Sequence, residues 1–107
     1  MKVAFGTGED GAGLAVYTTD KHERGGVKHW RRIRMARYTT YTPMLRREVH
    51  EYRILITEHG DDGFYKLLAD GGVSTFRAAL DVLGKALTTA IADGFASKAD
   101  MERIPVI

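Results

Sequence analysis

The chain has 107 residues, 44% of them hydrophobic and 28% charged, with a net charge of +2 and no cysteine. That balance fits one globular domain over residues 1–107 with a modest core and excludes a disordered chain, while the missing thiols exclude disulfides, thiol catalysis and thiolate zinc sites. The apolar runs are too short to cross a bilayer and the first residues lack the sustained hydrophobic segment of a signal peptide, so a soluble, cytoplasmic protein without a membrane partner is expected.

Two short apolar segments come first, Lys2 to Phe5 and Leu14 to Thr18, joined by the glycine-rich stretch Gly6 to Gly13. Together they read as a hairpin with a loose loop. Asp20 to Gly26 reads as a polar connector ending in two glycines. From Val27 to about Tyr41, β-branched and aromatic residues without a helical stripe predict a long strand, and Pro43 stops it. Glu48 to Glu58 and Phe64 to Ala69 flank the turn His59 to Gly63, whose Asp62-Gly63 pair marks the clearest hairpin of the chain. Asp70-Gly71-Gly72 is expected to end that last strand.

Beyond Gly72 the period lengthens from two to about three and a half. Phe76, Leu80, Leu83, Leu87 and Ile91 form one helical stripe, Ser74 or Thr75 can cap its start, and Gly94 stands where a left-handed residue ends a helix. Gly84 lies inside this helix near its apolar face, which suggests close approach of helix to sheet. Ser97 to Asp100 resembles a capping box with Asp in place of Glu, predicting a short second helix to about Arg103. The apolar tail Ile104 to Ile107 is expected to pack on the body, add to a sheet edge or touch a second chain. The predicted fold class is therefore α+β: an antiparallel sheet of about five strands packed on one long C-terminal helix, with a short second helix. One face of such a sheet stays open, and open sheets are common binding surfaces.

Charge is distributed unevenly along this frame. Lys21 to Arg53 holds ten Lys or Arg against three acids, a local net of +7, with Trp30, Tyr38, Tyr41 and Tyr52 interleaved. Alternation along Val27 to Tyr38 places Lys28, Trp30, Arg32, Arg34 and Tyr38 on one face, and Val27, Ile33 and Met35 on the other with His29, Arg31 and Arg37. The apolar members mark the core side, so the first set faces solvent. Cations that track phosphates beside rings that stack on bases are what single-stranded DNA or RNA binding requires. Lys28, Arg32, Arg34, Arg46, Arg47 and Arg53 are the candidate phosphate contacts, and Trp30, Tyr38 and Tyr41 the candidate stacking residues. Taken by residue type alone, Trp30 is instead expected in the core, since Trp is usually largely buried.

Other motifs carry less. Gly6-x-Gly8-x-x-Gly11 matches the dinucleotide fingerprint, but Leu14 to Thr19 has strand character where that fingerprint needs a helix, so the stretch is read as a hairpin loop. Tyr17-Thr18-Thr19 and Tyr38-Thr39-Thr40 repeat a tripeptide, which reflects shared β propensity. His22, His29, His50 and His59 show no metal-ligand spacing, Ser74 and Ser97 are explained as helix caps, and no cofactor, metal or catalytic residue is assigned. The run Asp62 to Leu68 followed by Gly72 to Leu80 resembles small β-β-α modules found in several antitoxin and RNA-binding folds. It covers a small part of the chain with elements common to any hairpin-to-helix junction, and it identifies no family.

The expectation is a non-enzymatic protein whose partner is nucleic acid, single-stranded by preference. The alternative is a regulator or inhibitor module that docks its basic strand, an edge strand or its C-terminal tail on an acidic protein partner. A homodimer is compatible with either.

Overall fold

The computed structural model describes residues 1–7 and 13–103, with backbone alone for residues 5–7, 13 and 14. The glycine-rich loop between the first two strands and the tail Ile104 to Ile107 lie outside the described residues. Among the described residues six strands form one antiparallel sheet: β1 (Lys2–Thr7), β2 (Gly13–Thr18), β3 (His22–Arg24), β4 (Val27–Thr42), β5 (Arg47–Gly60) and β6 (Tyr65–Val73). Their spatial order is β1-β2-β4-β5-β6, with β3 paired to the start of β4. The α+β architecture, an antiparallel sheet carrying one long helix and a short one, is the expected one. No helix among the described residues is long and apolar enough to cross a membrane.

Three features of the sheet go beyond expectation, each for a local reason. The Asp20–Gly26 connector contains a strand, because Gly25 and Gly26 both adopt positive φ (56° and 80°). That is the turn geometry whose twist matches a two-residue hairpin, and it folds β3 back on β4. β6 continues through Gly71 and Gly72 to Val73, since the ladder to β5 needs backbone groups only: Gly72 faces Arg53 and Val73 faces Tyr52. The pairing of β5 with β6 shifts register between Ile56 and Thr57, which leaves Leu68 as the extra residue of a bulge.

The long helix, α1 (Phe76–Ala92), begins where Thr75 in extended conformation accepts a hydrogen bond at Oγ1 from the Ala78 amide at 3.1 Å, and it ends before Gly94 at φ +87°. Both terminal signals are where the sequence places them. α1 packs on β4, β5 and β6. Leu83 and Leu87 are buried with Ala79 against Ala15, Tyr17, Ile33 and Ile54. The predicted stripe is therefore turned: Ala79 and Ala90 enter the buried line, while Phe76 and Ile91 sit at its rim. Ala79, fully buried, lies in the core cluster between helix and sheet. Gly84 does not mark a close approach of the two, for a Cβ there would meet nothing within 4 Å. The second helix is a 3₁₀ segment, Lys98–Arg103. As the capping-box pattern requires, the Asp100 carboxylate accepts from the Ser97 amide at 2.8 Å.

The β4–β5 hairpin outruns its neighbours. β2 reaches β4 only as far as Ala36, and β6 reaches β5 only as far as Tyr52, so among the described residues the two strands form a ribbon by themselves from Tyr38↔Glu51 to Thr42↔Arg47. The protein is correspondingly elongated, 55 × 29 × 20 Å.

Candidate nucleic-acid interface

The β4–β5 ladder runs without irregularity from His29↔Gly60 to Thr42↔Arg47, so the alternation of β4 holds along its whole length. Val27, His29, Arg31, Ile33 and Met35 point to the α1 side, where Ile33 is fully buried. Lys28, Trp30, Arg32, Arg34 and Tyr38 share the uncovered face, and all but Trp30 are exposed. Lys28, Trp30, Arg32 and Arg34 follow one another about 7 Å apart, and Tyr38 lies about 14 Å beyond Arg34.

Trp30 belongs to the uncovered face and is half-buried there, contrary to the core placement its residue type suggests. Its ring is shielded by side chains of that same face. It stacks on His59 of β5 with centroids 5.5 Å apart and planes 15° from parallel, and Lys21 Nζ lies 5.0 Å from its centroid. On the other side of His59, Tyr65 of β6 meets the imidazole edge-on at 5.4 Å and is 61% exposed. Three rings thus cross three strands in a row, with Arg32 next along β4. His59 and Tyr65 are the members that sequence reasoning missed. The Asp62-Gly63 turn could have paired those two, but only the β4–β5 register adds Trp30 to them.

The other candidates divide. Arg47 faces Thr42 and shares the uncovered side of the ribbon, whereas Tyr41, opposite Glu48, falls on the reverse side with the core-facing set. Arg46 occupies the turn at φ 50°. Arg53 shares the uncovered face but donates from Nη2 to Asp70 Oδ1 at 3.2 Å. Lys28, Arg32, Arg34 and Arg47 have no acidic partner within salt-bridge distance among the described residues.

Arg31 and Arg37, both assigned to the core side, meet opposite fates. Arg37 lies where no helix covers the sheet and is exposed. Arg31 is 8% exposed; its Nε is 3.1 Å from Glu58 Oε1, its Nη2 is 2.7 Å from Asp93 Oδ2, and its guanidinium lies 4.4 Å from the Phe95 ring centroid. It fastens the end of α1 to the sheet and is lost to any binding surface. No group of three His, Cys, Asp or Glu able to hold a metal ion occurs among the described residues.

Burial within the ring stack, reinforced by the nearby Arg32 charge, holds the His59 imidazole below the ordinary histidine range. Because the unfolded chain then binds more protons than the folded one just below pH 6.5, stability falls as pH drops through that window and levels off below the folded value. Ring-proton titration by NMR should show His59 titrating low in the wild type and moving upward in Arg32→Ala. An unchanged His59 titration in that variant would remove Arg32 from its surroundings.

No protein-family model matches the chain, and neither curated proteins nor solved structures give a significant match.

Proposed function

We propose that the protein binds single-stranded nucleic acid across the uncovered face of its sheet. What supports this reading most is one juxtaposition: the Trp30–His59–Tyr65 row beside the exposed cations Lys28, Arg32 and Arg34, which among the described residues have no salt-bridge partner, on the face opposite α1. Tyr65 offers its exposed ring and Trp30 the uncovered part of its own to bases, for which stacking is sequence-tolerant. The cations sit on the same face of one strand and take phosphates.

Counterion release makes the reading measurable. If Lys28, Arg32, Arg34 and Arg47 each neutralise one phosphate, log affinity for an oligonucleotide falls with log salt at a slope of about −2.8, and Arg32→Ala/Arg34→Ala brings it to about −1.4. Fluorescence anisotropy with a labelled single strand checks both values. Absence of binding at low salt, or binding indifferent to salt, refutes the proposal.

A second reading, a module that docks on another protein, is favoured by one observation. β6 is an edge strand of the sheet with Leu67 and Leu68 exposed beside Tyr65, a surface suited to strand addition. A protein that co-purifies at fixed stoichiometry through nuclease treatment and moderate salt would favour it over the first.

A further inference from the structure

The tip of the β4–β5 ribbon combines features that the fold itself does not use. Met44 is 95% exposed and Leu45 55% exposed, so they contribute little burial, and they stand at the turn that closes the β4–β5 ribbon. Pro43 precedes them with its fixed φ, and Arg46 and Arg47 follow, with Arg46 in left-handed conformation. No acid lies between Thr42 and Arg47. The turn is closed by hydrogen bonds from the Leu45 amide to the Thr42 carbonyl at 3.1 Å and from the Arg46 amide to the Pro43 carbonyl at 3.2 Å, which hold the apolar pair outward. The five residue pairs of the free ribbon carry this tip about 17 Å past the five-stranded part of the sheet.

An apolar wedge flanked by cations is the means by which proteins unstack base steps, and the charge on Arg46 and Arg47 is of the sign that phosphates require. The tip is also continuous with the proposed interface. Arg32, Arg34 and Tyr38 of β4 and Arg47 of β5 line one face of an unbroken ladder, so a strand lying along that face leads from the ring row to the tip.

We infer that the tip is a wedge for the boundary between a single strand and a duplex. Met44 and Leu45 pack on the terminal base pair and Arg46 and Arg47 hold the phosphates beside it, while the uncovered face carries the single strand. The inference rests on the reading of that face as a single-strand track, and it names the preferred ligand as a duplex with a single-stranded overhang.

The test compares three oligonucleotides, in DNA and in RNA: the overhang strand alone, a blunt duplex, and the duplex with its overhang, the last with a fluorescent adenine analogue in the terminal pair. The wild-type protein should bind the junction about tenfold more tightly than the overhang strand alone and should brighten the analogue by unstacking it. Met44→Ser/Leu45→Ser should lose both effects while keeping wild-type affinity for the single strand and an unchanged thermal midpoint. A wild type without junction preference, or a double variant that retains it, overturns the inference. So does a double variant whose loss is instead in binding to vesicles containing anionic lipid, or in self-association by sedimentation, for the tip would then serve a membrane or a second copy. If the wild type ignores the single strand but shows tip-dependent unstacking at the duplex end, the wedge stands and the single-strand reading of the face fails.

Discussion

Replacing Arg31 with alanine is expected to destabilise the fold by about 3–5 kcal/mol, the cost of breaking a buried ionic cluster from one side. The magnitude follows from what stays behind. The Glu58 side chain is 6% exposed and would keep only Arg24 Nη1 at 4.0 Å and His29 Nδ1 at 3.5 Å, and Asp93 would lose its 2.7 Å partner. The Phe95 ring would lose the guanidinium that covers it. Asp93 is the residue that closes α1, its amide donating to the Thr89 carbonyl, so the variant also loosens the end of the helix from β4. Against a total stability of about 5–15 kcal/mol this is a large fraction. Denaturant unfolding should show a lower midpoint at unchanged slope. Arg31→Lys should recover only part of the loss, because a single ammonium cannot bridge two acids while lying flat on a ring. A shift below about 1 kcal/mol for Arg31→Ala would mean that the cluster behaves as a solvated surface pair.

Trp30→Ala is the second substitution with a large expected effect, this time on binding. Loss of one base–aromatic stack corresponds to about 1–3 kcal/mol, or about 5- to 150-fold in single-strand affinity. The indole carries no charge, so the salt slope should stay as in the wild type, which separates this variant from Arg32→Ala/Arg34→Ala. Trp30→Phe should retain most of the affinity by keeping a flat ring against His59. Trp30 is the chain's one tryptophan. Its fluorescence therefore reports on the site directly, and oligonucleotide addition should quench it. Full affinity in Trp30→Ala, or fluorescence unmoved at saturating oligonucleotide, would place the bases elsewhere.

Elements whose signals are local were legible before any coordinates. The Asp62-Gly63 turn, the Thr75 cap, the Gly94 stop and the Ser97–Asp100 box depend on backbone preferences and hydrogen bonds within a few residues, and each lies where the pattern puts it. The role of Gly84 was not legible, because how closely a helix approaches a sheet depends on every residue between them. Nor was β3, where two adjacent glycines read equally well as a loop end or as the two centres of a tight hairpin.

The candidate interface divides along the same line. The chain alone determined the +7 stretch and, through the two-residue period of a strand, the shared face of Lys28, Arg32 and Arg34, since alternation is a property of extended backbone and needs no partner. Tertiary structure decided the rest. Arg31 and Arg37 have the same parity, and only the position of α1 buries one and exposes the other. Trp30 is far in sequence from His59 and Tyr65, and the three form a row only because the registers of two strand pairings bring them level. Register is the joint outcome of many non-local contacts, so the charged track could be read in the sequence, whereas the ring row beside it took shape only on folding.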